Sequence, residues 1–420
     1  MHADREVINH LRVLSCLMIF PSTFCDACKY SIEIGLVTDL VKTMKAKQIG
    51  IIKEGASCII NMCYACDDAC AQFFHQGIVG VCLELLWKNE SNDIIPYIIL
   101  LLSNIAGSEC STYRENILEN TELREFIVNY ANEHYHKADL LIQLLSFITN
   151  LIIEQPNSIQ IANLSNYASI AFKALTNNDK EIILCSLKLV SKIADITIPN
   201  FLHLFTNKFI HRLVSFGQSN DKEIKLLALH TIAACTHMGS DFCLAIIDLN
   251  ILTKLKDDLF TIRMEGKSAM RSQYLSKICF ILSNLCVTCP KEFVCSIASN
   301  GVLECMCILI FEEELRIKID AAWVLINCTF NLQHIPINAI IEGKMIDCLL
   351  LMFKAADNDE FILCLLKALC NLVTTKSPQI AQRIVALGGI KTLQHFQLHS
   401  NAKICKRVAK VLGILYCEIS

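Results

Sequence analysis

The sequence is poor in residues that break helices, since only 7 Pro and 14 Gly occur among its 420 residues. It has only 2 Trp, and its 38 basic residues nearly balance 41 acidic ones, which gives a formal net charge of -3. The longest basic run is KICKR at 403–407, so the chain offers no extended surface for binding phosphates. A hydrophobic content of 53% excludes disorder as its main character. We therefore expect a chain that folds throughout and that does not bind nucleic acid as its main partner.

Long uninterrupted apolar segments are also absent. The windows IIPYIILLLSNIAG (94–107) and LLIQLLSFITNLII (140–153) contain polar residues or Pro and fall short of the ~20 apolar residues that cross a bilayer. The N-terminal stretch lacks a net basic region before its short apolar core, so we expect an amphipathic helix there rather than a signal peptide. The 24 Cys lie mostly inside apolar runs, which favours buried thiols in a reducing compartment, the cytoplasm or the nucleus.

An apolar pattern that ends in Asn recurs along the chain. Its six segments are GASCIINMCYA with Asn61, ILLLSNIAGSE with Asn104, LLSFITNLIIE with Asn150, CFILSNLCVTC with Asn284, AWVLINCTF with Asn327 and LKALCNLVTT with Asn371. Successive steps are 43, 46, 134, 43 and 44 residues, and the long step holds three periods of about 45. Inside that step, the segments LKLVSKIADI and LALHTIAACTH place Ala194 and Cys235 at the Asn position.

A second pattern consists of apolar residues around a Gly and trails the preceding Asn by 16 or 17 residues. Its glycines are Gly35, Gly77, Gly301, Gly343 and Gly388. Two patterns that share a period of 42–46 residues, with helical apolar spacing, are typical of two- or three-helix units stacked into a solenoid. We predict that each Gly lies at a helix junction, in a backbone conformation that other residues disfavour.

The segment KIDAAWVLINCTF (318–330), together with LSNIAGSE, ILSNLCVTCP and the Gly-containing segments, resembles the armadillo-repeat family and, within it, importin-alpha. The resemblance implies an all-α fold, a right-handed α-solenoid of about ten armadillo repeats that forms a single domain over residues 1–420. Residues 1–47 would form an N-terminal cap repeat, 48–380 the central repeats and 381–420 a C-terminal cap repeat.

The spacing of Trp323 and Asn327 gives this resemblance a physical reason. Residues four apart lie on one face of a helix, where an indole can bind a cationic side chain for about 0.5 to 2 kcal/mol. The neighbouring amide can donate to and accept from the backbone of an extended peptide. In importin-alpha, a ladder of such pairs binds the Lys and Arg side chains of nuclear localisation signals. The predicted peptide-binding groove is lined by Phe280, Asn284, Trp323, Asn327, Asn371, Asn61, Asn104 and Asn150.

The sequence departs from importin-alpha at most of these positions. The residues four before the other Asn are Ser57, Leu100, Ser146, Phe280 and Lys367, so only Phe280 keeps an aromatic ring. Lys367 would repel a basic ligand. The sequence also lacks the Arg-rich segment by which importin-alpha engages importin-beta. Whether the groove selects Lys and Arg, and whether importin-beta is engaged, therefore both stay open.

The residues also have plainer interpretations. An Asn near a helix end can cap the helix or satisfy local backbone, and Trp323 can be a core indole whose N–H finds a partner. The acidic run Glu312, Glu313 and Glu314 either helps to attract a basic peptide or forms a solvated turn between helices.

Zinc binding is the one rival chemistry that the sequence offers. The segments FCDAC and CYACDDAC contain C-x-x-C spacings, and two such pairs can hold a tetrahedral Zn. Steps of three and four residues place these thiols on one helix face, however, so we expect no metal site. The cysteines concerned are Cys25, Cys28, Cys63, Cys66 and Cys70.

Two functions remain open for a protein that we expect to be neither an enzyme nor a cofactor binder, since no G-x-S-x-G, H-E-x-x-H or Gly-rich phosphate loop occurs. The first is an adaptor that binds extended, possibly basic protein segments for transport, together with the nuclear import machinery. The second is a general armadillo scaffold for assembling protein complexes, in which the Asn ladder holds partner backbones without selecting Lys or Arg. With either function, we expect protein partners and no insertion into a membrane.

Overall fold

A computed structural model of the protein describes residues 2–17, 24–88, 92–152, 158–196, 205–237, 239–289, 293–294, 296–297 and 300–419. These residues form helices and connecting turns, and none of them belongs to a strand. The chain divides into two compact units, Met1–Ile196 and Thr197–Ser420. Whether both units belong to one uninterrupted domain with terminal cap repeats stays a prediction.

The first unit contains twelve described helices. They are α1 (His2–Leu17), α2 (Phe24–Glu33), α3 (Leu36–Thr43), α4 (Ile49–Ala65), α5 (Asp67–His75), α6 (Ile78–Trp87), α7 (Ile95–Gly107), α8 (Ser111–Glu119), α9 (Thr121–Glu133), α10 (Ala138–Leu151), α11 (Ser158–Ala174) and α12 (Lys180–Asp195).

The second unit contains thirteen described α-helices and one 3-10 segment. They are α13 (Asn207–Phe216), α14 (Lys222–Cys235), α15 (Ser240–Asp248), α16 (Ile251–Arg263), α17 (Ala269–Thr288), α18 (Val302–Glu312), α19 (Leu315–Cys328), the 3-10 segment (Thr329–His334), α20 (Ile337–Glu342), α21 (Met345–Met352), α22 (Asp359–Thr374), α23 (Pro378–Ala386), α24 (Gly389–His395) and α25 (Ala402–Ile419).

One helix of each repeat packs directly on its counterpart in the next repeat of the same unit, and we call these ten helices the ladder helices. They are α1, α4, α7, α10 and α12 in the first unit, and α14, α17, α19, α22 and α25 in the second. Their burial repeats with the sequence period. The equivalent residues Leu282, Leu325, Leu369 and Leu412 are all buried, and each stabilises the fold by about 1.5–3 kcal/mol. The described residues thus contain ten repeats, as the sequence predicts.

Side-chain caps define where several ladder helices begin. Asp179 accepts hydrogen bonds from the backbone N–H groups of residues 181 and 182 at the start of α12. Asp221 does the same for α14, while Ser268 caps α17 and Asn358 caps α22. Each cap satisfies N–H groups that have no partner inside their own helix and contributes about 1 kcal/mol.

Four of the five predicted glycines lie at helix junctions in the left-handed conformation. Their φ angles are 78°, 77°, 76° and 75° at Gly35, Gly77, Gly301 and Gly388. Each precedes the first residue of a helix, namely α3, α6, α18 and α24. The prediction that these glycines supply a backbone conformation that other residues disfavour is therefore confirmed.

The same prediction is wrong for Gly343, whose φ of -70° is ordinary. The left-handed residue at this junction is Lys344, with a φ of 59°, and Asn250 has a φ of 57° at the junction between α15 and α16. Gly343 is required for a different reason, because a Cβ there would collide with the carbonyl oxygen of Ala339. The sequence period located the junction but not the residue that turns it.

A buried ion pair joins two repeats of the second unit. The Arg271 guanidinium donates to both carboxylate oxygens of Glu313, at 2.8 and 2.6 Å, and to the carbonyl oxygens of Ile262 and Arg263 at 3.1 and 3.0 Å. The side chains of the pair are only 3% and 5% exposed. Glu313 is thus neither a solvated turn residue nor available to a ligand, which corrects both interpretations of the acidic run at this position. Glu312 and Glu314 are exposed.

The cysteines of the C-x-x-C segments lie on helices α2, α4 and α5 and on the turn between α4 and α5. The Cys70 thiol donates to the Cys63 carbonyl oxygen at 3.1 Å, and burial raises the pKa of the Cys63 thiol. In the described part of the chain, no group of three or more His, Cys, Asp or Glu could hold a metal ion. The side chain of Cys25 lies outside the described residues.

Among the helices described, none is by itself long and apolar enough to cross a membrane. The consecutive helices Asp67–His75 and Ile78–Trp87 reach that length and apolar composition only together, and the angle between them is 67°.

Two glycine substitutions, one at the junction before α6 and one inside α6, distinguish the effect of backbone strain on stability from the effect of helix propensity. Both Gly77 and Gly80 have open space where a Cβ would lie. We expect Gly77→Ala to lower the free energy of unfolding by about 1–2 kcal/mol, because Ala is strained at a φ of 77°. Gly80→Ala should raise it by about 0.5–1 kcal/mol, because Gly80 lies inside a helix. Urea unfolding measures both changes in the free energy of unfolding. Equal effects from the two substitutions would contradict the assignment of Gly77 to a strained, left-handed position and of Gly80 to a helix interior.

The buried ion pair predicts a pH-dependent stability. Hydrogen bonds from Arg271 hold the pKa of Glu313 below its usual range, so this stabilisation is full above a pH of about 4.3 and is lost as the pH falls through the lowered pKa. We expect Glu313→Gln to cost about 3–5 kcal/mol at neutral pH and progressively less in acid. Urea unfolding between neutral and acidic pH measures this difference. The exposed neighbour Glu312→Gln should change stability by less than about 0.5 kcal/mol throughout.

Candidate peptide-binding surface

The predicted site residues of the second unit share one face of three ladder helices. Phe280 and Asn284 lie on α17, Trp323 and Asn327 on α19, and Asn371 on α22, in the same register. All five are partly or fully exposed. Within each unit, we define the ladder face as the Asn position of each ladder helix together with the position four residues before it.

Each Asn of the second unit donates a hydrogen bond to the preceding ladder helix or to the turn at its C-terminal end. Asn327 Nδ2 lies 3.3 Å from the carbonyl oxygen and 2.8 Å from the hydroxyl of Ser283. Asn284 Nδ2 lies 2.7 Å from the Thr236 hydroxyl, and Asn371 Nδ2 lies 3.3 Å from the Thr329 hydroxyl. The amides therefore connect successive repeats.

The first unit repeats this arrangement, and its Asn residues are also partly exposed. Asn61 Nδ2 lies 3.1 Å from the carbonyl oxygen and 3.0 Å from the hydroxyl of Ser15. Asn104 Nδ2 lies 3.0 Å from the Ile60 carbonyl oxygen. Asn150 Nδ2 lies 3.0 Å from the carbonyl oxygen and 3.2 Å from the hydroxyl of Ser103. Across both units these acceptors lie 42–48 residues earlier in the sequence, so the Asn amides do not cap their own helices.

These contacts fix the orientation of the amides. The carbonyl oxygens that four of the amides contact can only accept, so each Nδ2 group must face its carbonyl oxygen and each Oδ1 atom must face away. Asn284 and Asn371 contact the hydroxyls of Thr236 and Thr329, which already donate to carbonyl oxygens of their own chain segments and therefore also accept from Nδ2. No hydrogen bond to any of the six Oδ1 atoms is present among the described residues. Each of these amides uses at least one N–H group within the protein and has no partner for its Oδ1 atom among the described residues, so the ladder face offers a ligand hydrogen-bond acceptors. N–H groups of a ligand can donate to them.

The ladder also contains a member that the sequence period missed. Lys192 lies 42 residues after Asn150 on α12, and its Nζ donates to the Thr149 carbonyl oxygen at 2.8 Å. Lys192 is partly exposed, whereas Ala194 is fully buried. The assignment of the Asn position to Ala194 is thus wrong, and that to Cys235 is wrong too, because Cys235 is also fully buried.

The indole of Trp323 is half-buried on the ladder face. Its ring packs on Phe361 of the next ladder helix, with 5.7 Å between ring centroids and 51° between ring planes. Phe361 is itself buried, so one side of the indole is supported by the core of the unit. Trp323 is therefore neither a fully buried core residue nor a free surface ring.

Phe280 meets a histidine of the preceding repeat. The rings of Phe280 and His237 are 5.2 Å apart in an edge-to-face arrangement, and Asn284 Nδ2 lies 3.4 Å from His237 Nε2. Phe280 is 44% exposed, so much of its ring stays available to a ligand. His237 was not predicted as a site residue, because it lies outside the Asn period.

Charged residues on the same face were only partly recognised from the sequence. Lys367 Nζ lies 4.3 Å from the ring centroid of Phe330, which matches its predicted position on the face. Asp320, three residues before Trp323, has one carboxylate oxygen that is buried and that has no hydrogen-bond partner among the described residues. Burial raises the pKa of Asp320. A repeat pattern built on Asn and Trp carries no signal for this carboxylate.

The chain is similar in fold to solved structures that include a designed armadillo repeat protein. An engineered protein matches with a TM-score of 0.79 and 19% identity, over 97% of this chain and 95% of that chain. A structure concerning the interaction between cadherin and beta-catenin matches with a TM-score of 0.65 and 12% identity, over 98% and 88%. A designed armadillo repeat protein in complex with the peptide (KR)4 matches with a TM-score of 0.50 and 17% identity, over 58% and 98%.

The sequence itself matches no family model and no curated protein. The similarity to solved structures confirms the predicted fold, an all-α solenoid of armadillo repeats. It supports an armadillo-like fold in general and does not single out importin-alpha.

The ladder contacts predict a stabilising role for Asn150. Asn150→Ala removes the hydrogen bonds to Ser103 and should lower the free energy of unfolding by about 1–2 kcal/mol. Asn132→Ala is the matched control, because exposed Asn132 contacts only the Val128 carbonyl oxygen of its own helix. The control should change stability by less than about 0.5 kcal/mol in the same urea titration. Equal values for both variants would show that the ladder contact does not connect the repeats.

Proposed function

We propose that this protein is a non-enzymatic scaffold that binds extended segments of partner proteins along its ladder face. The observation that carries the proposal is the row of Asn Oδ1 acceptors, which lack partners within the described residues and are held in one orientation by contacts to the preceding ladder helix. A preorganised row of acceptors binds without first losing side-chain freedom.

The spacing of the row suits an extended peptide. Packed helices lie about 8–10 Å apart, so successive acceptors recur at about this interval. An extended chain rises about 3.3 Å per residue, and its backbone N–H groups can meet such acceptors every two to three residues. Contacts to the ligand backbone hold a segment whatever its sequence, while the residues four before each Asn select its side chains. The fold likeness to a designed protein bound to (KR)4 and to beta-catenin supports this proposal by analogy.

A narrower function is a transport adaptor for basic segments, acting in the cytoplasm or nucleus with the import machinery. Its support is local, because the half-buried indole of Trp323 can stack on a cation. Lys367 on the next ladder helix disfavours a run of basic residues. The observations therefore favour the general scaffold over the transport adaptor.

A peptide-display experiment tests the scaffold. A library of random peptides of roughly 16 residues, long enough to cross several ladder helices, is selected against the full chain. The selected peptides are then titrated against wild type, Asn327→Ala and Ser283→Ala. Both substitutions remove the hydrogen bond between Asn327 and the Ser283 hydroxyl, but only Asn327→Ala removes the acceptor offered to the ligand.

We expect Asn327→Ala to weaken binding by about 1–3 kcal/mol and Ser283→Ala to leave it unchanged. Selection of no binding peptide, or equal binding by all three proteins, would refute the scaffold proposal. The transport adaptor predicts two further results. The selected peptides should be rich in Lys and Arg, and Trp323→Ala should lower the affinity of the protein for them. If the selected peptides are not enriched in Lys and Arg, the general scaffold function stands and the transport adaptor for basic segments is excluded.

A further inference from the structure

The ladder-face position that lies four residues before Asn284, Asn327 and Asn371, and before Ile414 on the last ladder helix, changes its chemistry along the second unit. Phe280, Trp323, Lys367 and Lys410 occupy it on α17, α19, α22 and α25, at steps of 43, 44 and 43 residues. The register is fixed by the buried leucines of the same helices, which recur at identical steps. Two aromatic rings are thus followed by two exposed ammonium groups on one face.

Arg407 adds a third cation to this end of the face. It lies one helical turn before Lys410 on α25 and is half-buried. Burial raises the pKa of the Cys364 thiol on α22, and the charge of Glu360 adds to this rise, whereas the positive charges of Lys367 and Arg407 oppose it. Cations from two neighbouring ladder helices therefore lie around the same thiol. We define Lys367, Arg407 and Lys410 as the basic patch.

The basic patch is not neutralised by ion pairs within the described residues. Lys367 Nζ lies over the ring of Phe330, and none of the three cations forms an ion pair with a described carboxylate. The first turn of α22 carries Asp359 and Glu360, of which Asp359 accepts a hydrogen bond from Asn401. The remaining positive charge makes an acidic ligand the electrostatically complementary one.

We propose that the basic patch binds carboxylate side chains of an acidic, extended segment in a partner protein. The inference rests on the proposed scaffold function and names the ligand chemistry at one end of the ladder face. With ladder helices about 8–10 Å apart, the bound carboxylates are two to three residues apart in the segment. The Oδ1 atom of Asn371, on the same helix as Lys367, accepts an N–H group, which a peptide backbone supplies and a phosphate backbone does not. This favours an acidic peptide over nucleic acid.

The test compares ligands that differ only in charge. Three fluorescent peptides of roughly 12 residues share one sequence except at every third position, which is Glu, Gln or Lys. A single-stranded DNA of similar length is the competing polyanion. Affinities for the full chain are measured by fluorescence anisotropy at low and high salt. We expect the Glu peptide to bind about tenfold more tightly than the Gln peptide, with the advantage shrinking as salt rises.

Charge reversal provides the matched variants. Lys367→Glu/Lys410→Glu should reverse the preference, so that the Lys peptide binds at least about tenfold more tightly than the Glu peptide. Lys391→Glu, on α24 and outside the ladder helices, makes the same type of charge change and should keep the wild-type order. Circular dichroism checks that each variant keeps its helix content.

Several outcomes overturn the acidic-ligand proposal. They are equal affinity for the Glu and Gln peptides, an unchanged order in the double variant, and tighter binding of the DNA than of the Glu peptide. If random-library peptides bind in an Asn327-dependent way while the Glu peptide does not, the acidic-ligand proposal fails and the scaffold function stands. If no peptide of any kind binds, both fail.

Discussion

The hydrogen bond from an Asn amide to the preceding ladder helix is the interaction on which the structure of this surface depends. It joins residues 42–48 positions apart and recurs six times in the described residues. One contact therefore does two things: it connects neighbouring repeats, and it fixes which atom of the amide faces outward. Lys192 shows that the connecting role tolerates a different residue, since an ammonium can also donate to a carbonyl oxygen. The outward acceptor is lost there, because Lys has none.

This division of roles changes what an Asn ladder can recognise. An amide with free donors and acceptors can bind a peptide backbone through either group. Here each Nδ2 group uses at least one N–H group on the preceding repeat, and the Oδ1 acceptor is the atom that all six amides leave without a partner among the described residues. In the proposed scaffold, selection of ligand side chains comes from the positions four residues earlier, which are Phe280, Trp323, Lys367 and Lys410 in the second unit. These positions differ in chemistry, while the Asn is kept on α17, α19 and α22 and is replaced by Ile414 on α25. A backbone contact that recurs on three helices is thus combined with variable side chains.

The sequence predicts the helical period, the ladder Asn residues and four of the five junction glycines, because these features depend on residue type at a fixed spacing. It does not predict the pairing of Arg271 with Glu313, since partners 42 residues apart and embedded in different patterns show no joint signal. The sequence also does not identify Lys192 as a ladder residue, because the period was counted from the positions of Asn. In the structure, the ladder positions share their degree of exposure rather than their residue type. At Gly343 the turn is displaced by one residue, a shift smaller than the variation of the period itself.

The mixed character of the ladder face follows from the same logic. The half-buried indole of Trp323 can bind a cation, while the ligand proposed for the basic patch on α22 and α25 is a carboxylate. A uniformly basic ligand would meet like charge at Lys367, and a uniformly acidic one would leave the Trp323 indole without a cation. A segment whose charge changes sign within about 10 Å satisfies both, which is the distance between neighbouring helices and about three residues of extended chain. In the proposed scaffold, the order of charges along a partner segment therefore matters as well as its net charge.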